Sequence, residues 1–387
     1  MVFKKTTDGD IISIPHPDCH KTAARQKQSH LPSLLVTGGR LRGRTLATCE
    51  MLPLFSSREA QAQQPWIPLP NLNEHRGSHA AGSPAGTGLA VVLGGGTADG
   101  NSDAVEMIRM DAAATVGAER WCTMAGKLSS PRHAFEAVCV SERVCVGGTD
   151  ASKSVDCKAS IYAVGGWKYG AVSCASVERL GFQFSTNEGF MKSSEHWLLC
   201  DAGWESCAPL LIPRRLHSVA ASGDGSSFYV FGGYVDERRT TPSIERYDLK
   251  QDRWLAVEKL PYGDHCPLVQ AVADEVGFLI FPFSTGQTTA KEPPKVLRYI
   301  PGSDEAFSDV LCHGHDHAPQ TLRLPIAHWH SFSATASASL KKAFLVGGTI
   351  RGKWTTKCFE LNLRTYEWSE LPGMTCARRR LAALILE

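Results

Sequence analysis

The chain has 387 residues, of which 43% are hydrophobic and 21% charged, with a formal net charge of +2. That length admits one to three domains, and so even a charge balance excludes the basic surface that nucleic acid or an anionic membrane selects. Residues 1–8 carry no apolar segment of the signal-peptide kind, no run approaches the roughly 18 apolar residues of a membrane helix, and the 13 cysteines show no paired spacing, so a cytoplasmic chain with reduced thiols is expected.

Residues 1–30 are polar and read as a disordered extension. From residue 31 an apolar run closes on Gly38 and Gly39, followed by a strand at 48–51 and by Trp66. The same order returns with strands at 80–81 and 89–95, the pair Gly94 and Gly95, a strand at 104–108 and Trp121. The third copy holds two glycine pairs eighteen residues apart, too close for two separate units. Gly165 and Gly166 are the better pair, because they precede Val177-Glu178-Arg179 as Gly232 and Gly233 precede Ile244-Glu245-Arg246. A surplus of fifteen residues then falls within 141–160.

The fourth copy is the cleanest. A short strand at 217–221 and a turn lead to the wholly apolar run 228–231, which ends on Gly232 and Gly233. An alternating segment at 243–248 and a strand carrying Trp254 complete it. Apolar runs of this length read as strands buried on both faces, and alternating ones as half-buried. In the fifth copy Pro282-Phe283 replaces the glycine pair and Phe307 the tryptophan. The sixth has Gly347, Gly348 and Trp368, and residues 378–386 then read as a first strand with nothing after it. That is the strand the first copy lacks.

An arginine follows four of the tryptophans at nearly fixed distance: Trp66 to Arg76, Trp204 to Arg214 and Trp368 to Arg378 are ten residues apart, and Trp121 to Arg132 eleven. A unit recurring at this period means stacked copies sharing one core. Glycine pair, Val-Glu-Arg/Tyr, tryptophan and arginine in this order resemble the kelch repeat over residues 31–387. The resemblance implies an all-β fold: a six-bladed β-propeller of four-stranded antiparallel blades, closed into a ring by the C-terminal strand. The blades would span about 31–72 with 378–387, 76–128, 132–212, 214–261, 266–325 and 328–374.

The glycine pairs and tryptophans read as structural, since no lysine-serine or lysine-threonine follows the glycines as a phosphate loop requires. The loops before each first strand and after each second strand should open on one face. They bring Arg40, Arg76, Arg132, Trp167, Arg214, Arg215, Tyr234, His328, His330, Arg351 and Arg378 into consideration as partner-binding residues. Arginine forks suit carboxylates, and arginine with aromatics dominates binding hot spots. Each arginine equally fits a bracing role against backbone carbonyls. The resemblance implies a protein-interaction module, non-enzymatic and without cofactor, gripping a protein or acidic peptide partner. It also admits a substrate receptor of a cullin-type ubiquitin ligase, which normally has a BTB domain ahead of the propeller, or a kelch-fold enzyme acting on a sugar. His313, His315 and His317 are the residues closest to a metal motif, but no second ligand pair accompanies them, so no metal is expected.

Overall fold

The computed structural model describes residues 2–5, 11–14, 31–55, 61, 64–84, 88–110, 120–143, 157–168, 172–185, 196–263, 266–283, 292–313 and 318–386. The chain divides into two units, residues 1–30 and 31–387. In the first, Val2–Lys5 pairs antiparallel with Ile11–Ile14.

Among the described residues the second unit contains six four-stranded sheets, all of them antiparallel. Sheet 1 orders Ala382–Leu386, Ser33–Thr37, Cys49–Pro53 and Ile67–Leu69. Sheet 2 runs Ala80–Gly82, Leu89–Gly96, Asn101–Arg109, Cys122–Thr123, and sheet 3 runs Glu136–Arg143, Cys157–Val164, Val177–Ser185, His196–Cys207. Sheet 4 comprises Ser218–Ala221, Ser227–Phe231, Ser243–Asp248 and Arg253–Lys259; sheet 5 comprises Leu268–Ala273, Phe278–Phe283, Leu297–Tyr299 and Phe307–Asp309. Sheet 6 is Ser333–Ser337, Lys342–Val346, Cys358–Asn362 and Trp368–Leu371. The first strands of sheets 1 to 6 touch one another in order, and Ala382–Leu386 touches the first strands of both sheet 2 and sheet 6.

The second strands are buried along their length, as their unbroken apolar sequence requires. Burial alternates along the third strand of sheet 4 only in part, and its inward residues join the cores between sheets. In sheet 3 the first two strands are each eight residues long and pair from Glu136↔Val164 out to Arg143↔Cys157. Part of the surplus read at 141–160 therefore lengthens this hairpin; Gly147 and Gly148 lie outside the described residues. Gly165 and Gly166 end the second strand, with φ of 62° and 109°.

The glycine pairs are required twice over. All five lie at positive φ, where a side chain is strained. A Cβ on Gly38, Gly165 or Gly347 would also come within 2.6, 2.8 and 2.8 Å of the carbonyl oxygens of Arg76, Arg214 and Arg378. Where Pro282-Phe283 stands instead, the strand simply continues to Phe283, which pairs with Leu268.

The arginines of the repeat sit against these glycines. Arg76, Arg132, Arg214 and Arg378 are at most 1% exposed. Each Nη1 donates to the first glycine of its own sheet: Gly94 at 2.8 Å, Gly165 at 3.1 Å, Gly232 at 2.9 Å and Gly38 at 3.1 Å. Each also pairs with a buried glutamate on the third strand of the same sheet, Glu106, Glu178, Glu245 and Glu50 respectively. The carbonyl of each arginine meanwhile accepts from the second glycine of the preceding sheet, Gly39, Gly95, Gly166 and Gly348. The glutamates accept backbone N–H groups of the incoming link, such as Leu211 and Ile212 on Glu245. One side chain thus ties its own sheet together while its backbone holds the neighbour.

The tryptophans make a second recurring tie. Trp66, Trp121, Trp254 and Trp368 donate from Nε1 to the carbonyls of Pro372, Pro70, Ala208 and Arg323, at 2.8 to 3.0 Å. Those carbonyls all belong to the link leaving the preceding sheet. Trp204 packs into the core between sheets 2 and 3 without such a bond. Phe307 takes the place opposite Tyr299 that Trp254 takes opposite Tyr247, and carries no N–H to donate.

Breaking one buried ion pair strands its partner charge, so Glu245→Gln should cost about 3 kcal/mol, whereas Glu205→Gln at the exposed Arg179 pair should cost under ~1 kcal/mol. Urea unfolding followed by tryptophan fluorescence measures both, and equal costs would contradict the bracing role. Gly94→Ala should also destabilise, because its Cβ would meet the Arg132 carbonyl at 2.9 Å.

Candidate functional site

The loops entering each first strand meet the loops leaving each second strand. The residue after the bracing arginine pairs with the residue after the glycine pair: Arg379 with Arg40, Gly77 with Gly96, His133 with Trp167, and Arg215 with Tyr234. In sheet 6 the pair is His330 with Thr349. The loops of sheets 1, 3 and 6 extend as small hairpins at this end, with Arg40–Leu41 against Arg44–Thr45, Trp167–Lys168 against Val172–Ser173, and Thr349–Ile350 against Lys353–Trp354.

This geometry divides the expected site residues into two groups. Arg76, Arg132, Arg214 and Arg378 are committed to buried glutamates and glycine carbonyls, so they offer no guanidinium to a partner. The bracing role holds for all four. In sheet 6 the bracing position is filled by Trp329, between the two expected histidines. Its Nε1 donates to the Gly347 carbonyl at 2.6 Å, and its ring meets Phe359, the residue that occupies the glutamate position, with centroids 5.5 Å apart. An aromatic pair thus substitutes for the buried ion pair, a replacement that removes a desolvation cost. His328 is half-buried beside this tryptophan, its carbonyl accepting from the amide of exposed Arg351.

A family model described as Kelch motif matches residues 213–261, the stretch that begins just before Arg214 and forms sheet 4. This stretch of the chain carries a kelch motif. The chain is similar to the F-box protein AFR of Arabidopsis thaliana, with 30% identity over 92 residues, 24% of this chain and 24% of the relative. The chain thus aligns with about a quarter of the length of the curated relative it matches.

The other expected residues gather at the loop end of the repeats. The Arg215 guanidinium carbon lies 4.3 Å from the Trp167 ring centroid and 5.5 Å from that of Tyr234, with His133 on the far side of Trp167 at 5.1 Å. Arg40 lies across the bridge of sheet 2: a Cβ on Gly77 would touch its Cγ at 2.7 Å, and one on Gly96 its Nη2 at 2.9 Å. Those two glycines leave the space Arg40 occupies. Arg379, beside Arg40, faces the Trp354 ring at 5.8 Å.

Arg379, Arg380, His133 and Trp354 were not expected from the sequence. The signal was available, since Arg379 and His133 each follow a bracing arginine by one position. Among the described residues Arg40, Arg215, Arg379 and Arg380 form no ion pair, and the Nε atoms of Arg40 and Arg379 and the Nε1 of Trp167 are buried without a hydrogen-bond partner. The charges repel one another: burial, then Arg379 and Arg40, lower the pKa of Arg380. Burial, then Arg380, Arg40 and Arg215, lower His133 to about 4. Asp236 and Glu237 act on Arg215 without forming an ion pair with it, and its Nη1 donates to Ser173 Oγ at 3.3 Å.

His315 and His317 lie outside the described residues, as does the side chain of His313. Among the described residues no group of three or more His, Cys, Asp or Glu is arranged to hold a metal ion. Among the described residues no helix is long and apolar enough to cross a membrane.

Removing one neighbouring charge should let His133 take its proton more readily. In Arg40→Ala, the imidazole midpoint followed by NMR should move upward from about 4 toward 6.5. His79 and His217 are lowered to about 3 by burial and neighbouring arginines. From pH 6.5 down to about 3 the unfolded chain therefore binds more protons than the folded one, and stability should fall as the pH falls through that window. A flat urea midpoint across it would contradict the buried neutral histidines.

Proposed function

We propose that residues 31–387 form a six-bladed kelch propeller, closed by the C-terminal strand, that binds an acidic segment of a partner protein through its loop end. The six sheets, and the order in which their first strands touch, support the propeller. The observation that carries the binding reading is the set of unpaired arginines, Arg40, Arg215 and Arg379, each against an aromatic ring or a glycine bed. A guanidinium already seated on a ring loses little freedom on binding, and its free N–H groups match a carboxylate. Half-buried Trp167 and Tyr234 supply the apolar contact that anchors such a segment. Exposed Arg351 and partly buried His330 extend the same end.

The protein acts in this reading as a scaffold or recognition adaptor in the cytoplasm, where the nine cysteines found free among the described residues are at home. A narrower form is the substrate receptor of a ubiquitin ligase. The similarity to an F-box protein favours it.

The test uses random peptides displayed on phage and selected on the whole chain. Selected peptides should be acidic, and Arg40→Ala/Arg215→Ala/Arg379→Ala should weaken their binding by about tenfold or more while leaving the unfolding midpoint close to that of wild type. Binding should also weaken in high salt. Neutral selected peptides, or unchanged binding by the triple variant, would overturn the proposal. Arg76, Arg132 and Arg214 are unsuitable for this purpose, since their loss attacks the fold.

A further inference from the structure

Where the first strands of the sheets converge lies a cavity of about 420 Å³ that opens toward the rim just described and shares Tyr234, His330 and Arg379 with it. Its walls are mixed: Phe135, Leu268, Phe283, Phe332 and Leu381 give apolar faces, and hydroxyl, imidazole and charged side chains stand among them. Two ends are polar. Arg380 and Arg379 line it on the side of sheet 1, and Glu136 with Gln270 lines it from the first strands of sheets 3 and 5.

The polar ends differ in character. Arg380 forms no ion pair among the described residues, and the charges that act on it are those of Arg379 and Arg40. Glu136 has no cation beside it either; its one side-chain partner is Gln270. Gln270 is oriented by its neighbour strand, because its Oε1 accepts from the Ala334 amide at 3.3 Å and its NH₂ is left to donate to Glu136. Burial raises Glu136 to about 8, so at neutral pH it is a carboxylic acid with an O–H to give. The remaining titratable groups on the cavity wall are His79, His217, His330 and Tyr234. His79 and His217 are neutral at this pH, as the lowered values show.

One cavity thus holds a guanidinium without a counter-ion and a carboxyl that does not supply one. We infer that the cavity binds a small hydroxylated carboxylic acid, whose carboxylate meets Arg380 and whose hydroxyl oxygens accept from Glu136 and Gln270. The volume falls in the range of small-molecule sites, roughly 300–1,000 Å³, and a lining that mixes apolar faces with several polar groups suits a ligand that carries both C–H surface and hydroxyls. The apolar faces Phe283 and Phe332 suit the C–H surface of such a ligand. An ionised Glu136 would lose its donor proton and set a negative charge in the same cavity as the ligand's own.

Isothermal titration with D-glucuronate as probe, on the whole chain, tests this assignment. Wild type should bind at roughly pH 6.5 and at least about tenfold more weakly at roughly pH 9.5. Glu136→Gln, which keeps a donor at every pH, should bind equally at both, and Arg380→Gln should lose about tenfold or more at both. Glucose, lacking the anion, and inorganic phosphate, lacking the tail, should bind at least about tenfold more weakly than glucuronate. Absence of glucuronate binding by folded wild type overturns the inference, as does equal binding of glucose or of phosphate. Equal binding of N-acetyl-glutamate amide would reassign the cavity to an acidic side chain of a docked protein and overturn it too. The double variant Arg40→Ala/Arg215→Ala separates the two readings: of the three rim arginines only Arg379 also lines the cavity, so the double variant should lose peptide and keep glucuronate.

Discussion

A buried guanidinium that must satisfy five donors is the constraint around which this molecule is arranged. Arg76, Arg132, Arg214 and Arg378 leave water entirely, and each is answered by a glutamate, by a glycine carbonyl and by a second carbonyl in or just before the third strand. A desolvated charge is costly when any of these is missing. The glycines must therefore be glycines, the glutamates must lie two residues before the glycine in register, and the link from the preceding sheet must deliver its amides. Spacing in the sequence is the trace of that requirement.

The same arrangement explains why the loop end is free to carry chemistry. Arginine backbone and glycine backbone already hold adjacent sheets together, so the next residue in each loop has no structural debt. At those next positions stand Arg379, His133, Arg215 and His330, opposite Arg40, Trp167, Tyr234 and Thr349. Sheet 2 is the instructive exception. Its two loop positions are both glycine, and the vacated space is filled from the neighbouring sheet by Arg40.

Much of this was legible in the sequence. The apolar runs, the glycine pairs and the tryptophans identify strands that the structure places in six sheets, and Pro282-Phe283 marks where one sheet departs from the rest. Trp167, Arg215 and Tyr234 were read as neighbours at one end and do meet there. The roles of Arg76 and its three counterparts were not legible, because an arginine near a glycine carries no sign of whether its side chain turns inward. Only the glutamates on the third strand, seen in register, decide it. Trp329 was missed for a related reason: it replaces an ion pair by an aromatic contact, so it shares geometry with arginine and no chemistry. Glu136 and Gln270 stand on strands with an intervening one between them, and no pattern along the chain joins them.

The residue two places beyond each bracing position has a consequence of its own. Ser78, Ala134, Leu216 and Arg380 all adopt the left-handed conformation, with φ between 51° and 56°. Their backbones are linked in series, Leu216 to Ala134, Ala134 to Ser78 and Ser78 to Arg380, each bond 2.8 Å long. A serine, an alanine, a leucine and an arginine all serve, since the main chain alone makes the bond. From sheet 4 back to sheet 1, then, runs a main-chain series whose geometry is indifferent to its side chains. Such a series is a place where one side chain can be exchanged for another by single substitutions, without renegotiating the fold that presents them.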